Sequence, residues 1–183
     1  MKTMKVGLLG LGVVGEGTWK LLRDNDELER RSGVRIEVTH IAVRNLDKAR
    51  AKVGDAVPLT QNGMEVVSSP DVDVVVELMG GLHPAYEWVM EAIAQGKHVV
   101  TANKALLAQH GNEIFQAACE KGVIVAFEAA VAGGIPIVKA MREGLSANRI
   151  QSLAGIINGT SNYILSEMRT RGLSFEKALA EAQ

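Results

Sequence analysis

The 183-residue chain has few of the residues that mark secreted, membrane-bound or nucleic-acid-binding proteins. It contains one cysteine, Cys119, which has no partner for an internal disulfide, so we expect a reducing, cytoplasmic setting. The net charge is −1 and aromatic residues make up 4%, so neither a basic surface nor base-stacking side chains for nucleic acid are predicted. Because we find no signal peptide and no run of about 18 apolar residues, we expect a soluble protein that does not bind a membrane.

Apolar residues are plentiful and point to a buried core. They make up 47% of the chain, which is enough for at least one sizeable domain. Cys119 ends a run of residues, 114–119, in which apolar side chains recur at helical spacing. We therefore expect Cys119 to pack in the core and not to act as a nucleophile.

A glycine-rich turn near the N-terminus is the most informative motif. Residues 5–9 are typical of a short buried strand, and residues 16–23 of a helix. Between them lie three glycines at GxGxxG spacing, the fingerprint of a dinucleotide-binding turn in its required context. Gly10 permits the tight turn, Gly12 lets the backbone approach a pyrophosphate, and Gly15 lets helix and strand pack closely. The helix N-terminus then offers N–H groups and a positive dipole end to the phosphates.

Strand-like and helix-like segments alternate beyond this turn, which predicts a Rossmann-type, doubly wound parallel sheet. The predicted strands are residues 35–43, 72–78, 98–101 and 123–127, and the predicted helices are residues 46–53, 84–95 and 105–121, the last with a possible interruption near Gly111. We assign residues 1–133 to this dinucleotide-binding domain.

The pattern changes near Gly133, and residues 134–183 are predicted to begin a second, α+β domain for substrate binding and dimerisation whose remainder is absent. A helix is expected over 136–143 and a strand over 150–157. Thr160 or Ser161 is expected to cap a helix that ends at Arg171, and Ser174 a helix over 175–183.

The end of the second strand bears on the choice of cofactor. Enzymes that use NAD tend to place an acidic residue there, whereas those that use NADP tend to place an arginine near the 2′-phosphate. Here the strand is followed by Arg44, with no acid at its tip and with Lys48 and Arg50 nearby. We therefore predict a preference for NADP(H), with NAD(H) still possible, because a guanidinium can hold a phosphate bidentately.

Four further strings resemble one enzyme family over nearly the whole chain. They are residues 75–81 (VVELMGG), 101–108 (TANKALLA), 127–136 (FEAAVAGGIP) and 155–164 (GIINGTSNYI). Together with the glycine turn, they make the chain similar to homoserine dehydrogenases. The resemblance implies reversible NAD(P)-dependent hydride transfer between L-homoserine and L-aspartate 4-semialdehyde, in the biosynthesis of threonine, methionine and isoleucine. It also implies a homodimer or higher oligomer.

The resemblance also assigns roles to residues of this chain. The residues implied to bind the cofactor, in addition to Arg44 at the end of the second strand, are Gly10, Gly12, Val13, Val14, Gly15, Met79, Gly80, Thr101, Asn103 and Lys104. Lys104 is the implied catalytic residue, between nicotinamide and substrate, while Gly159, Thr160 and Tyr163 would border the substrate. A monovalent cation, usually sodium, would be held by Glu128, Val131, Gly133 and Ile135.

The residues themselves support part of this assignment. Lys104 follows a predicted strand at the edge where open α/β sheets bind ligands, and a lysine at a helix N-terminus opposes the helix dipole, so another role is expected for it. Glu128 precedes an Ala/Gly-rich turn with carbonyls that suit a hard cation, although apart from the resemblance an ordinary loop acid is the favoured interpretation. The four histidines show no paired spacing typical of metal ligands.

The chain also departs from the family pattern. Homoserine dehydrogenases continue with an acidic segment that binds the substrate amine and with a second lysine, the favoured proton donor, and both would lie beyond Gln183. We therefore expect an N-terminal portion of a longer enzyme, with little activity by itself. Two alternatives stay open: a dinucleotide-binding module without catalysis, and a Rossmann oxidoreductase of the glucose–fructose oxidoreductase type.

Overall fold

A six-stranded parallel sheet organises most of the chain in the computed structural model, which describes residues 2–24 and 26–183. The strand order is β3-β2-β1-β4-β5-β6, and every neighbouring pair is parallel. The predicted doubly wound fold is confirmed. The strands are β1 (Lys2–Leu9), β2 (Val34–Ala42), β3 (Leu59–Thr60), β4 (Val74–Glu77), β5 (His98–Thr101) and β6 (Val125–Ala126).

Helices connect these strands, as parallel pairing requires. They are α1 (Val13–Arg23), α2 (Asp26–Ser32), α3 (Leu46–Val53), α4 (Gly63–Val67), α5 (Ala85–Ala94) and α6 (Lys104–Lys121), followed by α7 (Ile137–Lys139), a π-helical turn (Ala140–Gly144), α8 (Gly159–Arg171) and α9 (Phe175–Ala182). Two short helices, α2 and α4, and the two-residue strand β3 were not predicted, because segments this short carry little periodicity. Among the described residues, no helix has the length and apolar character needed to cross a membrane.

The core consists of two apolar clusters that take alternate residues from the strands. In β4, Val75 belongs to the cluster with α4, α5 and α6, whereas Val74 and Val76 belong to the cluster with α1 and α3. Because successive side chains of a strand point to opposite faces, the two clusters lie on opposite faces of the sheet. The β-branched run of β4 is therefore the sequence signature of a strand buried on both sides.

The chain divides into two compact units, Met1–Lys139 and Ala140–Gln183. In the second unit, α8 packs against α9, and each buries one side chain, Ile164 and Ala178. Arg171 at the end of α8 is paired with Glu167 and with Glu181 of α9 at 2.6 and 2.8 Å. The predicted domain boundary after residue 133 stays a prediction.

The strand predicted over residues 150–157 is not formed. This segment has no regular structure, and all eight residues are exposed, including Ile156 at 73% and Ile157 at 89%. A β-strand needs neighbouring backbone to accept and donate its hydrogen bonds, and the described part of the chain brings none beside it. The β-branched residues of this segment favour an extended strand, but no neighbouring strand in the described chain pairs with it.

Three other local predictions were wrong. Cys119 is exposed, because α6 buries Leu106, Gly111, Ile114 and Ala118, and the face that they form turns Cys119 outward. Helix α6 also runs through Gly111 without the interruption that was predicted there. The cap of α8 is neither Thr160 nor Ser161 but Asn158, whose side chain accepts the Ser161 N–H at 2.8 Å. Asparagine is as good a cap as serine, so composition did not separate them.

Candidate active site

The glycine turn between β1 and α1 has the shape of a phosphate cradle. Gly10 adopts φ +103°, which favours glycine, and its N–H donates to the carbonyl of Ala42 at 2.9 Å. A Cβ on Gly15 would lie 2.3 Å from the Gly10 carbonyl oxygen, so only glycine lets α1 approach the turn this closely. No described atom outside the immediate backbone lies within 4 Å of the position that a Cβ on Gly12 would take. The turn is tight behind Gly15 and open in front of Gly12.

The first turn of α1 faces outward from this cradle. Val13 and Val14 are 93% and 59% exposed, although both are apolar. The first N–H groups of a helix have no partner within it, and they carry the positive end of the dipole. Such a helix start beside an open glycine turn is suited to an anionic phosphate group.

Lys52 connects α3 to the glycine turn and to α1. Its Nζ donates to the carbonyl of Leu11 at 3.1 Å and to Oε2 of Glu16 at 2.7 Å. Lys20 also donates to Glu16, at 2.6 Å. The hydrogen bonds from Lys20 and Lys52 lower the pKa of Glu16 to about 2. The start of α1 is thus held between two ammonium groups, one from its own helix and one from α3.

The end of β2 has the arrangement that the sequence predicted. Arg44 is exposed two residues after the strand, and the following Asn45 caps α3 by accepting the Lys48 N–H at 2.8 Å. The Gln61 side chain donates to the carbonyl of Arg44 at 2.8 Å, which anchors its backbone. The guanidinium therefore projects from a fixed backbone, next to the strand whose Ala42 supports Gly10.

A buried carboxylate that the sequence patterns did not reveal joins the ends of β4 and β5. Glu77 is fully buried. Its Oε1 accepts the N–H groups of Met79 and Gly80 at 2.8 and 3.2 Å, and its Oε2 accepts the Thr101 hydroxyl at 2.6 Å. An acid that ends an otherwise β-branched strand and precedes two glycines was the available signal. Met79, Gly80 and Thr101, all implied cofactor residues, are brought together by this side chain.

Asn103 extends the network to the start of α6. Its N–H donates to the Thr101 hydroxyl oxygen at 3.0 Å, and its amide nitrogen donates to the Gly81 carbonyl at 2.6 Å. Its Oδ1 accepts the Leu106 N–H at 3.1 Å and so caps α6. Lys104, the first residue of α6, is exposed. The structure thus places Lys104 at the carboxyl end of β5, where the sequence analysis expected it.

The residues implied to bind a cation lie in one loop of the first unit. Both carboxylate oxygens of Glu128 accept backbone N–H groups, those of Val138 and Lys139, at 2.9 Å each. Ala132 and Gly133 adopt φ +55° and +59°, which turns the loop sharply between Val131 and Ile135. A carboxylate and backbone carbonyls are the oxygen donors that hard cations prefer, so the donor set fits such an ion chemically. No group of three or more His, Cys, Asp or Glu suited to a metal occurs among the described residues.

The residues implied to border the substrate lie on the first turns of α8. Gly159 begins this helix, Thr160 follows it, and Tyr163 is 40% exposed. Positions four apart share a helix face, so Tyr163 lies one turn from Gly159. The Asn158 cap therefore fixes all three within the first five residues of one helix.

Comparison with known proteins adds to this geometry. The family model described as homoserine dehydrogenase, NAD binding domain, matches residues 10–128, and the model described as homoserine dehydrogenase matches residues 136–183. Homoserine dehydrogenase from Pseudomonas aeruginosa is 61% identical over all of this chain, and that from Neisseria gonorrhoeae is 56% identical. The chain spans 42% of the length of each of these relatives.

Solved structures give the same result. The structure of a homoserine dehydrogenase from Thiobacillus denitrificans matches all of this chain, and 42% of its own, with a TM-score of 0.90 and 65% identity. A hyperthermophilic archaeal homoserine dehydrogenase in complex with NADPH matches 98% of this chain, and 60% of its own, with a TM-score of 0.78 and 26% identity.

Proposed function

The chain belongs to the homoserine dehydrogenase family, and we propose that it provides the dinucleotide site and the first substrate contacts of an enzyme with that activity. The reaction is the reversible, NAD(P)-dependent interconversion of L-homoserine and L-aspartate 4-semialdehyde, in the biosynthesis of threonine, methionine and isoleucine. The nicotinamide, when bound, supplies the hydride chemistry, and the protein supplies binding and orientation. The chain spans 42% of the length of the Pseudomonas aeruginosa enzyme, so we propose this activity for the full-length protein.

The observation that carries the proposal is the row of groups along the carboxyl ends of β1, β4 and β5. In open α/β sheets, ligands bind in the crevice outside these ends, where the strand order reverses. Here that crevice holds the open glycine turn, the Met79–Gly80 amides and the exposed Lys104. The space before Gly12 and the first N–H groups of α1, which have no partner within the helix, fit a dinucleotide pyrophosphate.

NADP(H) is the preferred cofactor in this proposal. Arg44 projects beside β2, where the adenosine ribose of a Rossmann dinucleotide is recognised. Its guanidinium would hold a 2′-phosphate, and no carboxylate follows the strand directly to accept a ribose hydroxyl. The archaeal relative whose structure contains NADPH is consistent with this preference.

Lys104 is the catalytic group that the position supports. It is the third residue after the end of β5. Its ammonium would orient the substrate or stabilise negative charge on the reacting oxygen. We extend the proposal to Gly159, Thr160 and Tyr163 as substrate contacts and to Glu128, Val131, Gly133 and Ile135 as ligands of a monovalent cation such as sodium. The assembly in this proposal is a homodimer or larger oligomer in the cytoplasm, without nucleic acid or membrane partners.

The test is an assay of the purified full-length protein with L-aspartate 4-semialdehyde and NADPH, followed by the loss of NADPH absorbance, with binding of NADPH measured in parallel by calorimetry. Turnover that depends on both compounds supports the proposal. Binding of NADPH without turnover would favour a dinucleotide-binding module without catalysis. If NADPH does not bind, the proposed cofactor site is wrong.

A further inference from the structure

Glu77 accepts hydrogen bonds from groups at the carboxyl ends of β4 and β5. A buried carboxylate is costly unless its oxygens accept hydrogen bonds, and both oxygens of Glu77 do. The partners are the backbone N–H groups of Met79 and Gly80, in the loop after β4, and the hydroxyl of Thr101, the last residue of β5.

The directions of these hydrogen bonds make both carboxylate oxygens of Glu77 acceptors. The Thr101 hydroxyl oxygen accepts the Asn103 N–H at 3.0 Å, so its own hydrogen is available for Glu77 Oε2 at 2.6 Å. The other two partners are backbone N–H groups, which can only donate. Three donors therefore converge on one side chain, and bonds to a charged acceptor are stronger than bonds between neutral groups.

The strand order shows which part of a dinucleotide these loops would meet. The adenosine ribose is recognised at the end of β2, and the pyrophosphate lies at the turn between β1 and α1. β4 lies on the other side of β1 from β2, and β5 lies beyond it. A dinucleotide that crosses the sheet in this direction brings its nicotinamide half to the loops that Glu77 holds.

We propose that Glu77 is a positioning residue for the nicotinamide half of the cofactor site. By fixing the amides of Met79 and Gly80 and the hydroxyl of Thr101, it sets the relative position of the two loops that this half would contact. The Asn103 bond to Gly81 closes the same network from the side of α6. This inference rests on the proposed dinucleotide function and adds a residue that itself does not touch the cofactor.

The test compares two ligands on the Glu77→Gln variant of the purified protein. An amide has one acceptor oxygen, so either the loop amides or the Thr101 hydroxyl loses its acceptor. We expect the dissociation constant for NADPH to rise about tenfold or more, because a buried donor is left unpaired. The dissociation constant for 2′,5′-ADP, which carries only the adenosine half, should stay within about twofold. Calorimetric titration measures both.

Glu65→Gln is the matched control. Glu65 accepts a threonine hydroxyl as well, that of Thr60 at 2.7 Å, but it is exposed. Both dissociation constants should stay within about twofold of the wild type in this variant, since water replaces the lost acceptor.

The outcomes separate the inference from the proposed function. Equal weakening of both ligands, or no change in either, would overturn the positioning role while the wild type still binds NADPH. A wild type that binds neither ligand would overturn the proposed function and the inference with it. If circular dichroism shows that Glu77→Gln does not fold, the test is repeated with Glu77→Asp, which keeps a carboxylate on a shorter side chain. Weaker NADPH binding with unchanged 2′,5′-ADP binding in that variant supports the positioning role. Any other result overturns it.

Discussion

Arg44 is the side chain on which the proposed choice between NADP(H) and NAD(H) depends. Arg44→Asp replaces a phosphate-binding group with one that repels phosphate and can accept a ribose hydroxyl. We expect the ratio of NADPH to NADH affinity to fall by about 100-fold, since a charge-assisted bidentate contact is lost and a repulsion gained. Calorimetric titration with both cofactors measures this ratio.

The matched control for Arg44 is Arg35→Asp. Arg35 is exposed on the same strand, at its opposite end. Arg35→Asp therefore makes the same change in net charge, but far from the proposed phosphate site. Its cofactor ratio should stay at the wild-type value. An unchanged ratio in Arg44→Asp would mean that Arg44 is a solvated loop charge.

Lys104 tests whether a helix start can serve catalysis at the expense of stability. Its ammonium lies at the positive end of the α6 dipole, so Lys104→Ala should raise the free energy of unfolding by about 0.3–1 kcal/mol or leave it unchanged. In the full-length protein, turnover should fall by about 100-fold or more, because in the proposed mechanism the reacting oxygen loses its charged partner. NADPH affinity should stay within about threefold, as the glycine turn holds the pyrophosphate.

Lys121→Ala, at the other end of α6, is the control for Lys104. Lys121 favours the helix dipole, so its removal should lower stability slightly and leave turnover unchanged. Steady-state kinetics and urea unfolding of both variants measure these effects. Normal turnover in Lys104→Ala would show that Lys104 is only a solvated lysine at a helix end.

At the scale of elements, the contact between α1 and the glycine turn admits no side chain at Gly15. A methyl group there would meet the Gly10 carbonyl oxygen at 2.3 Å, so Gly15→Ala must shift the helix or the turn. We expect a loss of about 1–3 kcal/mol of stability together with weaker dinucleotide binding. Gly17→Ala, in the same helix but with open space at its Cβ, should be neutral or raise stability by up to about 1 kcal/mol. Urea unfolding of the two variants decides between them, and equal stabilities would contradict the close contact.

The ion pairs of Glu16 with Lys20 and Lys52, which connect α1 and α3, should make stability depend on pH. The pKa of Glu16 is about 2 in the folded chain, against an ordinary 4.5, because of its hydrogen bonds to Lys20 and Lys52. The unfolded chain therefore takes up the proton first as the pH falls. The stability that Glu16 contributes is fully present above about pH 4.5 and is lost as the pH falls toward about 2. Melting temperatures of wild type and Glu16→Gln should differ at pH 6 and converge as the pH approaches about 2; a constant difference would contradict the ion pairs.

Sequence patterns predicted the helices and strands that bury one continuous apolar face. They did not predict features that depend on contacts between residues distant in sequence. The bounds of α3 and β5 were predicted to the residue, because apolar periodicity, caps and β-branched runs agree there. The burial of Cys119 was wrong, since one residue's shift along α6 moves a side chain from the core face to solvent. Glu77 was missed because its role depends on Thr101, which is distant in sequence and adjacent only across paired strands.

At the scale of the whole molecule, backbone protection should be uneven. β1, β4 and β5 lie inside the sheet with neighbours on both sides, whereas residues 150–157 have no paired strand in the described chain. We expect amides of the inner strands to exchange hydrogen most slowly and those of 150–157 to exchange fastest, because exchange follows local opening. Hydrogen-exchange mass spectrometry measures both. Slow exchange over 150–157 would show that this segment is covered in solution, by another copy or another chain.

The capping asparagines also bear on how the protein ages. Asn62 and Asn158 each precede a glycine, the sequence in which the next backbone nitrogen most readily attacks the side-chain amide and releases ammonia. Both side chains are held by hydrogen bonds from the N–H groups of Met64 and Ser161, at 3.1 and 2.8 Å. Folding that keeps helices α4 and α8 capped therefore also slows their deamidation. Where it occurs without rearrangement, the product is an aspartate, itself a favourable cap whose charge suits the helix start. Storage damage at these two positions would first register as a change in isoelectric point, before any loss of helix.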